Sequence, residues 1–190
     1  MIVRKRKLYS YVVDHDYGYA PNPEDGLCTL ARCKFGTAER KNLVEIAEVG
    51  DWVIGTVGQY NAQGACADKV GCLLYAMKVT EKITLEEYIR RYLSRSDAHT
   101  EQGCERNGMF GRYALLSDCY YYFGRNAIKL NQLPACDHPI VKSGQGYQYR
   151  FYDEAYIAKF EEWLIFNYQV GKHGEPCLPF ESAQSCKSLC

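Results

Sequence analysis

The sequence has no excess of charge of either sign. Its 23 Lys and Arg residues are balanced by 23 Asp and Glu residues, so the formal net charge at pH 7 is zero. A protein that coats duplex DNA without regard to sequence needs many phosphate contacts from Lys and Arg. We therefore expect weak or no non-specific duplex binding, whereas recognition of one nucleotide in a pocket is compatible with this balance.

The sequence also lacks a membrane-length apolar run and a recognisable secretory signal. The basic residues 1–7 are followed by an apolar run that stops at Asp14. A signal peptide needs an apolar stretch of about 7–15 residues followed by a cleavage site of small residues. We therefore expect a cytoplasmic protein with no membrane partner, in which the ten cysteines are reduced.

None of the cysteine spacings matches a common metal-binding motif. Cys28 and Cys33 have four residues between them, where a zinc knuckle has two. Cys136 and His138 are the residues that could complete a four-ligand site, and the acidic residues at positions 14, 16, 24 and 25 offer carboxylates for a divalent cation. Because these spacings fit no known metal site, we predict no metal and no cofactor.

The most distinctive stretch is residues 15–34, where recurring glycine and proline predict a long loop. A long ordered loop carries function more often than a short connector does. Tyr17, Tyr19 and Leu27 give this loop apolar groups with which to pack against the domain. We predict that it roofs a ligand cleft; a surface Ω-loop without function is the alternative.

Tyrosine is abundant, with 17 residues. Its ring stacks on bases and its hydroxyl forms hydrogen bonds, which suits base recognition. For most of the 17, a place in half-buried strands is the better interpretation. Trp52, at the start of an apolar strand, is favoured as a core residue; as a stacking platform it would share a cleft with Tyr17, Tyr19 or Tyr121.

Hydrophobic patterning predicts a mixed set of strands and helices. Strands are predicted at residues 8–14, 51–57 and 72–80, within 112–123 and at 146–151. A capping box, Thr84 followed by Glu87, begins one helix, and Asp153 begins a second. Residues 94–111 are polar and have the composition of an insertion.

Five or six strands without regular βαβ alternation predict an α+β domain. We expect a small curved mixed β-sheet or a partly open barrel with two or three flanking helices. The single domain is expected to span residues 1–168 and to be followed by a C-terminal tail at residues 169–190.

Several short motifs occur in order along the chain. They are His15-Asp16-Tyr17-Gly18-Tyr19-Ala20-Pro21-Asn22-Pro23, Cys28-Thr29-Leu30-Ala31-Arg32-Cys33-Lys34, Gly50-Asp51-Trp52-Val53-Ile54-Gly55-Thr56, Tyr75-Ala76-Met77-Lys78-Val79-Thr80 and Ser117-Asp118-Cys119-Tyr120-Tyr121-Tyr122-Phe123-Gly124. Together they resemble the second nucleotide modification associated domain family of bacteria and phages, over residues 7–163. That family was proposed to act alongside enzymes that modify bases, so the resemblance implies a nucleic-acid modification or defence context.

Residues 50–80 also resemble, more loosely, the strand-loop-strand of the EVE, ASCH and other PUA-like pseudo-barrels. Such domains commonly receive a nucleotide, often a modified or flipped base, in an aromatic-lined cleft. The resemblance therefore implies a PUA-like fold and recognition of a nucleotide or a single base. Fold alone does not fix function.

The predicted ligand-binding residues are polar and aromatic side chains in or near the loop. They are His15, Asp16, Tyr17, Tyr19, Asn22, Cys28, Thr29, Lys34, Trp52 and Tyr121. An enzyme acting on a nucleotide or base is the alternative, because Arg32 and Lys34 flank Cys33 and favour a thiolate, with His15 as base and Asp16 as a further acid or base. A protein–protein interaction module is the third hypothesis, and binding is favoured over catalysis. Sequence leaves the oligomeric state open.

Overall fold

The computed structural model describes residues 4–31, 42–98, 112–137, 140, 147–150 and 154–179, with backbone alone at 62–63 and 147–150. The strands are β1 (Leu8–Val13), β2 (Cys28–Leu30), β3 (Trp52–Val57), β4 (Leu73–Lys78), β5 (Glu81–Thr84), β6 (Tyr113–Ser117), β7 (Cys119–Tyr122), β8 (Tyr147–Arg150) and β9 (Gly171–Lys172). The helices are α1 (Leu43–Ile46), α2 (Leu85–Arg91) and α3 (Glu154–Asn167). The predicted α+β class is confirmed.

The strands form two sheets. The main sheet has six strands in the order β8-β1-β3-β4-β7-β9, and the smaller sheet has the order β2-β6-β5. In the main sheet β1 pairs in parallel with β3, and β7 with β9, while the other neighbours are antiparallel. The described strands thus give a mixed sheet next to a small antiparallel one, and they do not close into a barrel.

Alternating side chains place the main sheet between two apolar cores. In β3, Trp52 and Ile54 pack with Phe160 of α3, whereas Val53 and Val57 pack toward the smaller sheet. This is the two-residue period of a strand that is buried on both faces. Helix α2 covers the far side of the smaller sheet. The layers are therefore α3, main sheet, smaller sheet and α2.

Helix α2 begins where the capping box predicts. The Thr84 hydroxyl accepts a hydrogen bond from the Glu87 amide at 3.2 Å. The Glu87 carboxylate pairs with Arg90 and Arg91 on the same helix instead of returning to Thr84. The start of α3 agrees with the prediction near residue 153, although Asp153 itself lies outside the described residues.

Three short strands have no counterpart in the predictions. Strand β2 lies within the predicted loop and pairs with β6, while β5 and β9 complete the two sheets. Runs of two to four residues are too short to show a clear hydrophobic period. The predicted insertion at 94–111 begins with a 3₁₀ turn, Ser96–Ala98, in which Asp97 is buried.

Cys66 and Cys177 form a disulfide, so the expectation of reduced thiols is wrong for this pair. They are 111 residues apart, and only the folded chain brings them together. Among the described residues, Cys28, Cys72, Cys119 and Cys136 are free. The first part of the expected tail, up to residue 179, packs against the domain through β9 and this disulfide; the boundary at residue 168 stays a prediction.

No helix in the described part of the chain has the length and apolar content needed to cross a bilayer. Within the same residues, no three His, Cys, Asp or Glu side chains come together in a group suited to a metal ion. Cys33 and His138, two of the four ligands considered from the sequence, lie outside the described ranges.

Candidate functional site

Four strands of the main sheet end at the same edge. Strands β1 and β3 are parallel, and two successive antiparallel pairings, β3 with β4 and β4 with β7, return β7 and its parallel partner β9 to that direction. The segments that follow these strands, residues 14–18, 58–63, 123–126 and 173–179, therefore meet at one edge. Binding crevices commonly form outside the carboxyl ends of parallel strands, where connections diverge.

A cleft of about 350 Å³ opens at this edge. Its lining residues are Tyr17, Gly18, Glu24, Ser96, Arg125, Glu175, Pro176, Leu178 and Pro179. They come from the 15–31 loop, from the turn after α2, from the end of β7 and from residues 173–179, which we call the C-terminal wall. The volume lies within the range of about 300–1,000 Å³ that small-molecule sites occupy.

Asp16 fastens the loop to the C-terminal wall. Its buried carboxylate accepts hydrogen bonds from the Tyr122 hydroxyl at 2.7 and 2.9 Å and from the Cys177 amide at 3.0 Å. The Leu178 amide donates to the Asp16 carbonyl at 2.9 Å, and the Asp16 amide donates to Asn61 at 2.8 Å. Burial raises the pKa of Asp16, against the opposing effect of the hydrogen bonds from Cys177 and Tyr122. Asp16 is thus a positioning residue behind the cleft.

Arg95 holds the middle of the loop. Its buried guanidinium donates to the carbonyls of Glu24 at 2.8 Å, Asn22 at 3.0 Å and Leu27 at 3.1 Å. A planar guanidinium with five N–H donors is suited to gathering several acceptors. Ser96 follows directly, lines the cleft and accepts a hydrogen bond from the Asn22 side chain at 3.2 Å. The same anchor therefore places both the loop and the Ser96 hydroxyl.

Asp97 completes a buried polar cluster behind the cleft. It accepts hydrogen bonds from the Thr29 hydroxyl at 2.6 Å and from the Tyr88 hydroxyl at 2.7 Å, and it lies 3.7 Å from the Arg95 Nε. Burial and the neighbouring Asp97 raise the pKa of Tyr88. This cluster has no signal in the sequence, because Arg95 and Asp97 lie in a polar stretch without periodicity.

An aromatic group flanks the cleft. The exposed His15 ring has its centroid 3.9 Å from that of Tyr60 and 6.1 Å from that of Tyr17. The planes of His15 and Tyr17 are 25° apart, and Tyr17 also lines the cleft. Aromatic faces of this kind stack on nucleobases with little dependence on sequence.

Charged side chains connect the two sides of the cleft. The Lys172 Nζ lies 3.0 Å from both the Glu24 and the Glu175 carboxylates, one on the loop and one on the wall. Burial acts to lower the pKa of Lys172, but the hydrogen bonds to Glu175 and Glu24 raise it overall. The Arg125 Nε donates to the Pro176 carbonyl at 2.8 Å. The site thus offers carboxylates and a guanidinium side by side.

The sequence matches a model of one protein family over most of its length. The model described as nucleotide modification associated domain 2 matches residues 5–94 and 89–184. The chain belongs to this family. No curated protein and no solved structure matches the chain. Membership in the nucleotide modification associated domain 2 family gives the chain a nucleotide modification context, while the looser resemblance to PUA-like pseudo-barrels stays a prediction.

In this nucleotide modification associated domain, the fold places three of the predicted ligand-binding residues in the core. Cys28 is fully buried between the two sheets, and burial raises the pKa of its thiol. Trp52 packs against Phe160 and donates to Glu161 at 2.9 Å. Tyr121 lies in the same core as Trp52, on the α3 face of the main sheet. The interpretation of Trp52 as a core residue therefore agrees with its place in the fold.

Of the other predicted ligand-binding residues, some line the cleft and some hold the loop beside it in place. Tyr17 lines the cleft, while Asn22 and Thr29 are buried in the polar contacts that shape the loop. Tyr19 is half-buried and is not among the residues that line the cleft. Cys33 and Lys34 lie outside the described residues, so the predicted thiol chemistry stays a prediction.

Proposed function

We propose that this domain recognises a single nucleotide, or a plain or modified base, in the cleft between the 15–31 loop and the C-terminal wall. The observation that carries the proposal is that Tyr17, Arg125, Glu24 and Ser96 line one cleft of about 350 Å³. Together these side chains offer a ring face, a cation and hydrogen-bond acceptors. Family membership supplies the nucleotide modification context.

Each group in the cleft matches one part of a nucleotide. The Tyr17 ring, continued by His15, supports a stacked base. The Glu24 carboxylate accepts hydrogen bonds from amino groups on a base edge, and the Ser96 hydroxyl both donates and accepts. The Arg125 guanidinium pairs with a phosphate, for which its planar geometry is suited.

The size and charge of the site favour one nucleotide over a long duplex. The cleft is flanked by carboxylates as well as cations, and the whole chain has a formal net charge of zero. A surface that follows a duplex backbone gains affinity mainly from cations that contact phosphates. We propose that non-specific duplex binding is weak or absent.

Titration of the purified protein by calorimetry with plain and modified mononucleotides and short single strands tests the proposal. We expect at least one of them to bind, and Tyr17→Ala and Arg125→Ala each to weaken that binding about tenfold or more. One stacked base contributes about 1–3 kcal/mol, and a hydrogen bond to a charged group contributes about 1.5–3 kcal/mol. Phe166→Ala, which removes an aromatic ring that is 89% exposed on α3, and Arg90→Ala on α2 are the matched controls. Both should bind like the wild type.

Three outcomes would overturn the proposal. Failure of every nucleotide together with tight binding of another protein would show an interaction module. Loss of affinity in the controls equal to that in Tyr17→Ala would place the ligand elsewhere. Nucleotide turnover that disappears in Cys33→Ser and survives in Cys119→Ser would show an enzyme instead of a binding domain.

A further inference from the structure

We propose that the Cys66–Cys177 disulfide regulates the cleft. Formation of the bond fixes the C-terminal wall against the 15–31 loop, and reduction releases the wall. The inference rests on the proposed function for what the cleft binds. The release of the wall can be measured without any ligand.

The disulfide is joined directly to the residues that line the cleft. Cys177 lies between Pro176 and Leu178, both of which line it. The Cys177 amide donates to the Asp16 carboxylate at 3.0 Å, and the Leu178 amide donates to the Asp16 carbonyl at 2.9 Å. Movement of Cys177 would therefore break the contacts between the wall and the loop.

On its other side, the wall packs closely against the segment that carries Cys66. The Ala65 amide donates to the Cys177 carbonyl at 3.1 Å. A Cβ at Gly64 would lie 2.6 Å from the same carbonyl oxygen, so a glycine is needed for this approach. The fold thus brings the backbones on either side of the disulfide into contact.

Apart from its hydrogen bonds to Asp16, Ala65 and Arg125, the wall is attached by short or exposed elements. Strand β9 has two residues, and the ion pairs of Lys172 with Glu24 and Glu175 involve half-exposed or exposed carboxylates. Exposed ion pairs contribute little to stability. The disulfide closes a loop with a sequence separation of 111, and the entropic stabilisation by a cross-link increases with loop length. The disulfide is a covalent attachment, and its reduction leaves the wall held by hydrogen bonds, ion pairs and packing alone.

The chemistry is thiol–disulfide exchange with a small disulfide such as oxidised glutathione. One cysteine thiolate attacks a sulfur of the small disulfide and forms a mixed disulfide with it. The other half of the small disulfide leaves as a thiol. The second cysteine thiolate then attacks the protein sulfur of that mixed disulfide and displaces the other small thiol. Two protein thiols lose two electrons and two protons, and the small disulfide becomes two thiols.

Both sulfurs belong to residues with at most 1% exposure, Cys66 and Cys177. A small thiol reaches them only when the wall separates from residues 64–66. A ligand that contacts both the wall and the loop opposes this separation. We therefore expect a bound nucleotide to slow reduction of the disulfide.

Hydrogen exchange of backbone amides tests the inference on the full chain. Three samples are compared: the oxidised protein, the protein reduced with a phosphine, and the double variant Cys66→Ser/Cys177→Ser. We expect the amides of residues 177 and 178 to exchange about tenfold faster or more in the last two samples, since local opening costs less without the cross-link. The Val79 amide donates a hydrogen bond to the Asp51 carbonyl, far from the wall. Its exchange rate should be the same in all three samples.

Cys119→Ser, which removes a free thiol at the far end of β7, is the matched control and should behave like the oxidised wild type. Equal exchange at Cys177 and Leu178 in oxidised and reduced protein would overturn the inference. Because the reduced wild type keeps its sequence, this comparison also stands if the double variant does not fold.

Calorimetry on the same samples separates this inference from the proposed function. A nucleotide that binds the oxidised protein about tenfold or more tightly than the reduced protein supports both. Equal affinity for the two forms overturns regulation but leaves the proposed function standing. If no nucleotide binds either form while reduction still speeds exchange in the wall, the proposed function fails and redox release of the wall survives.

Discussion

Buried carboxylates hold the cleft in shape at the scale of single residues. Asp16 is 1% exposed and Asp97 is fully buried, and each accepts hydrogen bonds from a tyrosine hydroxyl. A buried carboxylate is tolerated where hydrogen-bond donors surround it, and both of these carboxylates have such donors. The acidic side chains that line the cleft, Glu24 and Glu175, are instead exposed.

The raised pKa of Asp16 predicts a pH dependence of stability. Burial raises this pKa above its ordinary value of 3.8, so at pH values between the unfolded and the folded pKa the folded protein keeps a proton that the unfolded chain has lost. The stabilisation from Asp16 is therefore fully present below the unfolded pKa and is lost as the pH rises through the folded pKa. We therefore expect the unfolding free energy of the wild type minus that of Asp16→Asn to decrease as the pH rises above 3.8.

Urea denaturation at a series of pH values measures this difference. Asp118→Asn, at an exposed turn, shows what the same change does away from the buried site. An increase in the unfolding free energy of the wild type relative to Asp16→Asn with rising pH would contradict the prediction. It would mean that the hydrogen bonds from Tyr122 and Cys177 outweigh burial in setting the pKa of Asp16.

Trp52 is predicted to stabilise the fold without contacting the ligand. It is 2% exposed and packs against Phe160 on the face of the main sheet that α3 covers. Trp52→Ala should therefore lower the unfolding free energy by about 3–5 kcal/mol, as expected for removal of a large core side chain. Chemical denaturation and nucleotide titration measure the two properties separately. If Trp52→Ala unfolded like wild type but lost nucleotide binding, Trp52 would be a stacking platform.

At the scale of elements, two glycines in the loop offer a matched comparison. Gly18 and Gly26 both adopt positive φ, +70° and +72°. A Cβ at Gly18 would lie 2.7 Å from the Pro176 side chain, whereas a Cβ at Gly26 would meet nothing within 4 Å. Valine at either position strains the backbone at a cost of roughly 1–3 kcal/mol. Only Gly18→Val also pushes the wall away from the loop.

We therefore expect both variants to lose stability through backbone strain, with Gly18→Val losing more than Gly26→Val, and we expect only Gly18→Val to lose nucleotide binding. Thermal melts and calorimetric titrations of the two variants test this. Equal loss of binding in both would mean that loop strain, and not contact with the C-terminal wall, controls the cleft.

The order of the loop depends on Arg95. Arg95→Ala removes the guanidinium donor from three loop carbonyls, of which those of Asn22 and Glu24 keep a backbone donor, and it leaves Asp97 without its neighbouring cation. Removal of one member of a buried charge pair costs about 3–5 kcal/mol. Arg95→Lys keeps the charge but not the planar array of donors, so we expect an intermediate loss.

Urea denaturation measures these losses, and Arg90→Ala, on the exposed face of α2, is the control. A variant Arg95→Ala as stable as the control would show that other contacts hold the loop. It would also remove the reason for the fixed position of Ser96 in the cleft.

For the whole molecule, sequence predicts the elements whose signals are local. The β-branched and aromatic runs of β1 and β3 and the capping box at Thr84 are each contained within a few residues. The layered arrangement follows less directly, because the turn after β6 sends β7 into the other sheet. No local pattern distinguishes that turn from a hairpin turn.

The site was less accessible to prediction because it is built from distant parts of the chain. The loop is found from its composition, and Tyr17 indeed lines the cleft. Arg95 is 73 residues away from Asn22, whose carbonyl it binds, and Cys177 is 161 residues away from Asp16. Contacts over such separations leave no periodicity, so the wall and the buried cluster emerge only in the folded chain.

Nuclear magnetic resonance of backbone amides, recorded with and without the tightest-binding nucleotide from the titrations, tests the central claim most directly. We expect the largest shift changes at Gly18, Arg125 and Leu178, on three of the four segments that line the cleft, and no change at the amides of α3. Shift changes centred on α3, or saturation with nucleotide without change at these three amides, would contradict the claim that this cleft is the binding site.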